Sequence, residues 1–193
     1  MLSDDKILLI LDLDETLIHS VEEEPETDTW FRLFQYYVVK RPFLEYFLTE
    51  CSNHFRLAVW SSATDDYTAM VVKEIFSSAV KPEFVWGRSK TTFRPVANRD
   101  DLTCTGFSHY DFIKRLRKIK TLGYQLEKTL IVDDTPHKVK ENYGNAIYVS
   151  EFLGNQDDHE LPLLLDYLLT LKDCQNVLSI EKRNWRKHGS IQQ

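Results

Sequence analysis

Three observations on this 193-residue chain predict an α/β layered fold with a mostly parallel central sheet. Nearly continuous apolar runs recur at Lys6–Leu13 (KILLILDL), Phe55–Trp60 (FRLAVW), Thr129–Val132 (TLIV) and Ala146–Val149. Segments with helical apolar spacing lie between them. The first and third runs end in paired acids, and the second ends in two serines. Runs without polar alternation suit strands buried on both faces, as in a parallel sheet covered by helices. Strands alternating with helices make that sheet parallel.

The elements follow in order. Lys6–Leu13 is a central strand that ends at Asp12, Asp14 and Glu15. Glu22–Glu26 (EEEPE) is a surface loop. Trp30–Lys40 (WFRLFQYYVVK) is aromatic and β-branched, which favours a small β insertion over about residues 27–40. Pro42 suits a first helical position, with Phe43, Leu44, Phe47, Leu48 and Cys51 following at helical spacing. After the strand Phe55–Trp60, Thr64 is placed to cap a helix burying Tyr67, Met70, Val71 and Ile75. Phe84–Trp86 is a short strand, and Thr91–Thr105 has no period and is expected as loop or insertion. Ser108 to Asp111 resembles a capping box. It is expected to open a helix carrying Phe112, Ile113, Leu116 and Ile119 and stopped by Gly123. His159–Leu171 is an amphipathic helix that packs on the sheet.

Composition narrows the function. Hydrophobic residues make up 42% and charged residues 28%, so a folded core is expected over most of the chain, read as a single domain spanning 1–193. The net charge of −6 argues against a nucleic-acid partner held by a broadly basic surface. No apolar run has the length of a membrane span. Acid at Asp4 and Asp5 stands where a secretory signal carries positive charge. Cys51, Cys104 and Cys174 are odd in number and without metal spacing, which fits reduced thiols and a cytoplasmic location.

The chemistry gathers at one sheet edge. In open α/β sheets the ligand lies at the carboxyl ends of the strands. There the sequence brings Asp12 and Asp14, Ser61 and Ser62, and Asp133 and Asp134. Packed carboxylates repel unless a cation neutralises them, and hard oxygen donors suit Mg²⁺, which commonly works with phosphate. A phosphate also needs donors. Ser61 and Ser62 offer hydroxyls and backbone N–H groups, and Lys114 is the candidate cation, with Lys118 as the alternative. Thr16 is read as a support of the loop that carries the first acids.

This order of motifs resembles the haloacid dehalogenase superfamily. More narrowly, it resembles the small C-terminal-domain, or NLI-interacting-factor-like, phosphatases, in a bacterial-type form. The resemblance rests on LDLDETLIHS (Leu11–Ser20), VVKRPFLEYF (Val38–Phe47), VWSSATDDY (Val59–Tyr67), TLIVDDTPHK (Thr129–Lys138) and EKRNWRKH (Glu181–His188). Ser61 stands where eukaryotic relatives usually carry Thr, and Asp134 where many carry Asn. The resemblance implies a Rossmann-like core without a large cap. It also implies a Mg²⁺-dependent phosphomonoester hydrolase in which Asp12 is the nucleophile and forms an aspartyl phosphate. Asp14 would then be the general acid and base, with Ser61, Ser62 and Lys114 holding phosphate. Mg²⁺ would be held by Asp12, the Asp14 backbone carbonyl and Asp134, with Asp133 acting through water.

An uncapped site suits a phosphoprotein or phosphopeptide. Trp30, Phe31, Phe34, Tyr36 and Tyr37 either line a peptide groove or pack a small sheet onto the core. A small metabolite or a nucleic-acid end is the alternative substrate on the same core. A non-catalytic binding module is disfavoured by the intact acids.

Overall fold

A computed structural model describes residues 6–95 and 110–187. Ten strands and three α-helices can be followed among them, with short 3-10 segments between. Strand β1 (Leu8–Leu11) is buried at every position. Full burial of each such aliphatic side chain contributes about 1.5–3 kcal/mol, which is why this run takes the centre of the sheet.

Three strands form a small antiparallel sheet of their own: β2 (Ile18–Val21), β3 (Trp30–Leu33) and β4 (Tyr36–Lys40), in the order β2-β4-β3. The expected insertion is therefore joined by a strand, β2, that the sequence reading left out. Helix α1 (Leu44–His54) buries Leu44, Phe47, Leu48 and Cys51 as its spacing requires. Its start differs from expectation. Pro42 lies in the preceding turn, and Phe43 takes a left-handed conformation (φ 65°), with its ring half exposed beside His159. The cause is Arg41, whose amide is bonded to Leu17 O and whose carbonyl accepts from Leu44 N, so a tight turn precedes the helix.

Strand β5 (Arg56–Trp60) is followed by helix α2 (Asp65–Ile75). Thr64 is the N-cap residue but makes no side-chain capping bond; Asp65 and Asp66 instead place negative charge in the first turn. The helix buries Thr68, Val71, Val72 and Ile75, while Met70, expected inside, is exposed. After β6 (Val85–Trp86), Gly87 passes Asp65 so closely that an added Cβ would lie 2.7 Å from the Asp65 Cα.

The largest departure comes next. Strands β7 (Thr92–Pro95) and β8 (Tyr110–Ile113) pair antiparallel, so Phe112 and Ile113 lie in a strand and not in a helix. A 3-10 segment, Leu116–Leu122, follows and stops at Gly123 in the left-handed region (φ 88°), as the glycine suggested. The aromatic, β-branched residues find a partner strand far away in sequence, and that pairing overrides the local capping pattern. Ser108, Cys104 and most of Thr91–Thr105 lie outside the described residues.

Strands β9 (Thr129–Asp133) and β10 (Ala146–Tyr148) complete the sheet, and helix α3 (Glu160–Leu171) packs on it through Leu161, Leu164, Leu165, Leu168 and Leu171. The order is β10-β9-β1-β5-β6, with every pairing parallel. Leu11 lies opposite Val59 on one side and Val132 on the other. The residues at the carboxyl ends of these three strands therefore converge: Asp12 to Asp14, Ser61 and Ser62, Asp133 and Asp134. No helix among the described residues is long and apolar enough to cross a membrane.

Candidate active site

Asp12 leaves β1 fully buried, with its amide donating to Val132 O (3.0 Å). Its Oδ1 accepts from the Leu13 amide (2.9 Å) and meets Lys114 Nζ at 2.8 Å. Its Oδ2 is buried without a hydrogen-bond partner. The chain then turns tightly, since the amides of Thr16, Leu17 and Ile18 all bond to Leu13 O and Glu15 adopts φ 59°. This turn lifts Asp14 beside Asp12. Oδ2 of Asp14 accepts from Ser61 Oγ (3.2 Å) and Oδ1 from Tyr67 Oη (3.1 Å). Burial first, and then the Asp12 charge, hold the Asp14 carboxyl above the usual carboxylate range against the pull of these bonds. Glu15, half-buried, is pushed up to about 7 by burial and by Asp14 and Asp134.

Lys114 lies at the site, though on a different element from the one expected. It is the first residue after β8, its amide donates to Lys138 O (2.7 Å), and Asn142 Nδ2 donates to its carbonyl (2.8 Å). The side chain is wholly buried, and Nζ bridges Asp12 Oδ1 and Asp133 Oδ2 (2.7 Å). Lys118 is not brought to the acids. Its Nζ donates to the carbonyls of Lys90 and Thr91, tying the 3-10 segment to the start of β7.

Both oxygens of Asp133 are engaged, one by Lys114 and one by the Thr135 amide (2.9 Å). Burial still pushes its carboxyl up against the pull of Lys114. Asp134 is oriented by Thr16, whose Oγ1 donates to Oδ1 (3.2 Å) and accepts the Asp134 amide (3.1 Å); Thr135 Oγ1 holds the other oxygen (2.8 Å). Ser61 is buried, with its hydroxyl between Asp14 and the Ala63 amide (2.9 Å). Ser62 Oγ is buried and has no hydrogen-bond partner.

Asp12, Asp133 and Asp134 each present an oxygen within 4.8 Å of the others. Asp14 is outside this group because its carboxylate faces Ser61 and Tyr67. Crowded hard oxygens and the orphaned Asp12 Oδ2 fit a small divalent cation such as Mg²⁺.

Four residues of the site carried no assignment from the sequence. Lys138 Nζ lies 3.6 Å from Asp12 Oδ2. Burial lowers its pKa, but Asp12, Asp133, Asp134 and Asp14 together outweigh that and raise it. Tyr67 reads in sequence as a core position of α2, and Ser20 bonds its Oη at 2.6 Å. Arg41 is buried, clamped bidentately by Asp158 (2.9 and 2.8 Å), and donates Nη1 to Thr16 O (2.8 Å), so it fixes the loop carrying the acids.

Residues 7–178 match the NLI interacting factor-like phosphatase family. The chain belongs to that family. Similar relatives include nuclear envelope morphology protein 1 of Schizosaccharomyces pombe, 28% identical over 88% of this chain and 34% of that protein. The human carboxy-terminal domain RNA polymerase II polypeptide A small phosphatase 1 is 29% identical over 91% of this chain and 63% of its own length. The chain thus spans from about a third to under two thirds of these relatives. Among solved structures, Fcp1, an essential RNA polymerase II CTD phosphatase, superposes with a TM-score of 0.67 at 17% identity, covering 90% of this chain and 69% of that one. That likeness concerns the fold.

Proposed function

We propose that this chain is a Mg²⁺-dependent phosphomonoester hydrolase that works through an aspartyl phosphate on Asp12 and acts on phosphoserine or phosphothreonine in proteins. The observation that carries the reading is Asp12 itself: a buried carboxylate with one oxygen pinned by Lys114 and Leu13 N and the other without a hydrogen-bond partner. A carboxylate held this way is oriented toward an incoming phosphorus, as a nucleophile must be.

In the first step an Asp12 oxygen bonds to phosphorus and the bond to the leaving oxygen breaks. Asp14, whose raised pKa favours the acid form, gives its proton to the leaving alkoxide. In the second step Asp14 takes a proton from water. The water oxygen bonds to phosphorus, the Asp12–phosphorus linkage breaks, and inorganic phosphate leaves. Ser62, and Ser61 once its hydroxyl turns from Asp14, would donate to phosphoryl oxygens, and Lys114 neutralises charge beside Asp12. Asp12, Asp134 and the Asp14 backbone carbonyl would hold Mg²⁺. Asp133 would reach it through water, since both its own oxygens are engaged. Bound Mg²⁺ supplies charge neutralisation and fixes the line of attack.

Two features support a protein substrate. The names of the human relative and of Fcp1 refer to the carboxy-terminal domain of RNA polymerase II. Among the described residues, only short strands are added to the core before α1. The aromatics of that small sheet divide by role. Phe31 and Tyr36 pack against the core, Trp30 and Tyr37 stack edge-on at 4.8 Å, and Phe34 is exposed at the β3–β4 turn (φ 55°). Phe34 is thus the side chain free to meet a peptide. Free Cys51 and Cys174 fit a reducing compartment and support a cytoplasmic location.

The test compares a phosphoserine peptide with free phosphoserine and common sugar phosphates, with Mg²⁺ and after chelation. The expected result is a higher kcat/KM for the peptide, lost on chelation. More efficient turnover of a small phosphate than of every peptide in a broad panel contradicts the substrate reading. Undiminished turnover after exhaustive chelation contradicts the metal.

A further inference from the structure

Lys138 has no part in the mechanism above, yet it is the second ammonium group of the site. It reaches in from the 3-10 segment Pro136–Asn142 that follows β9, with about a quarter of its side chain exposed (26%). Its Nζ lies 3.6 Å from Asp12 Oδ2, the oxygen that has no hydrogen-bond partner. The two lysines are held differently. Lys114 is wholly buried and fixed by contacts of 2.8 and 2.7 Å to two carboxylates. Lys138 has one long contact at the mouth of the cluster. Its main chain is anchored, with the amide on Thr135 O and the carbonyl accepting from Lys114 N, so a change of state falls on the side chain alone.

A divalent cation held by Asp12 and Asp134 would share Asp12 with this ammonium. Like charges at that range, partly shielded from water, oppose each other strongly. The charges of the site point the same way. The three clustered carboxylates of Asp12, Asp133 and Asp134 face two ammonium groups, so the pocket lacks positive charge until a divalent cation enters, and it then has to receive a phosphate dianion.

We propose that Lys138 is the resident counter-ion of the metal subsite: it neutralises Asp12 Oδ2 while no divalent cation is bound, opposes that cation's entry, and on displacement turns to the phosphoryl group. The inference rests on the Mg²⁺ reading of the cluster and adds a consequence to it. Mg²⁺ alone binds more weakly than the acids would allow, and Mg²⁺ and phosphate strengthen each other, because each gives Lys138 a reason to move.

The experiment is titration calorimetry on metal-free protein, with Mg²⁺ alone, inorganic phosphate alone, and each in the presence of the other. Wild type is compared with Lys138→Met, Lys138→Gln and Lys138→Arg; the Gln variant serves if the Met variant does not fold. In wild type, phosphate should raise Mg²⁺ affinity by about fivefold or more. The neutral variants should bind Mg²⁺ alone about fivefold or more tightly than wild type and lose most of the mutual strengthening. Lys138→Arg should keep the wild-type pattern. Equal or weaker Mg²⁺ binding by the neutral variants, beside clear binding by wild type, overturns the role of Lys138 alone. No Mg²⁺ binding by wild type overturns the metal reading and this inference with it.

Discussion

Asp14 is the residue whose surroundings most closely define a role. Burial and the Asp12 charge favour its acid form, while the hydroxyls of Tyr67 and Ser61 favour the carboxylate. Two predictions follow from this balance. Asp14→Asn removes proton transfer, a loss of roughly 10²–10⁴-fold on a seryl phosphate and much less on an aryl phosphate whose leaving group needs no proton. Equal losses on the two substrates would contradict its role as general acid. Tyr67→Phe removes a bond that lowers the Asp14 pKa, so that pKa rises. The first step needs protonated Asp14, and kcat/KM for a seryl phosphate falls on the alkaline side as Asp14 ionises. The variant's alkaline limb should therefore move to higher pH, as read from a pH–rate profile; an unmoved limb or a move to lower pH would contradict the assignment. At this scale the sequence disclosed the acids because each follows an apolar strand. Tyr67 stayed hidden because the apolar spacing of its helix reports packing only, and Lys138 because it lies in a polar 3-10 segment with no periodicity to place its side chain.

The Asp12–Thr16 loop is held by elements distant in sequence. Arg41, just ahead of α1, spans from Asp158, ahead of α3, to Thr16 O. Removing one partner of a buried pair leaves an uncompensated charge, at a cost of about 3 kcal/mol here, the low end for such pairs because Asp158 is partly exposed. Asp158→Asn should lower stability by about that much, measured by denaturant unfolding near pH 7. The pH dependence has a definite sign. Burial raises the Asp158 pKa, but its bonds from Arg41 and the Glu160 amide outweigh that and leave it depressed in the folded chain. Its stabilisation is therefore complete above the unfolded value, about 3.9, and is lost as pH falls through the folded value. The gap between wild type and variant should hold from neutral pH down to about pH 5 and close below about pH 4. A gap that widened on acidification would contradict the pair. The β7–β8 hairpin marks where local reading of elements fails. Phe112 and Ile113 pair with Phe93 and Thr92, a contact set by chain closure over long range, and Lys114 reaches the acids because β8 delivers it there.

Across the whole molecule, the strand order explains why so much of the site could be read in advance. A parallel sheet with β1 between β5 and β9 puts three loops at one edge. Any sequence whose apolar runs end in Asp12, Ser61 and Asp133 then assembles them without further instruction. The small sheet was less legible. Its aromatics serve both as packing for the core and as exposed surface, and composition cannot separate the two. The central claim is the covalent step at Asp12. The most direct measurement is acid-quenched turnover of a phosphopeptide in Mg²⁺, followed by mass spectrometry of the segment bearing Asp12. The expected result is a transient phosphoryl group on Asp12 that decays as inorganic phosphate appears and is absent from Asp12→Asn. Continued turnover by Asp12→Asn, or rapid turnover by wild type with no phosphoryl group on Asp12 at any time, would contradict it.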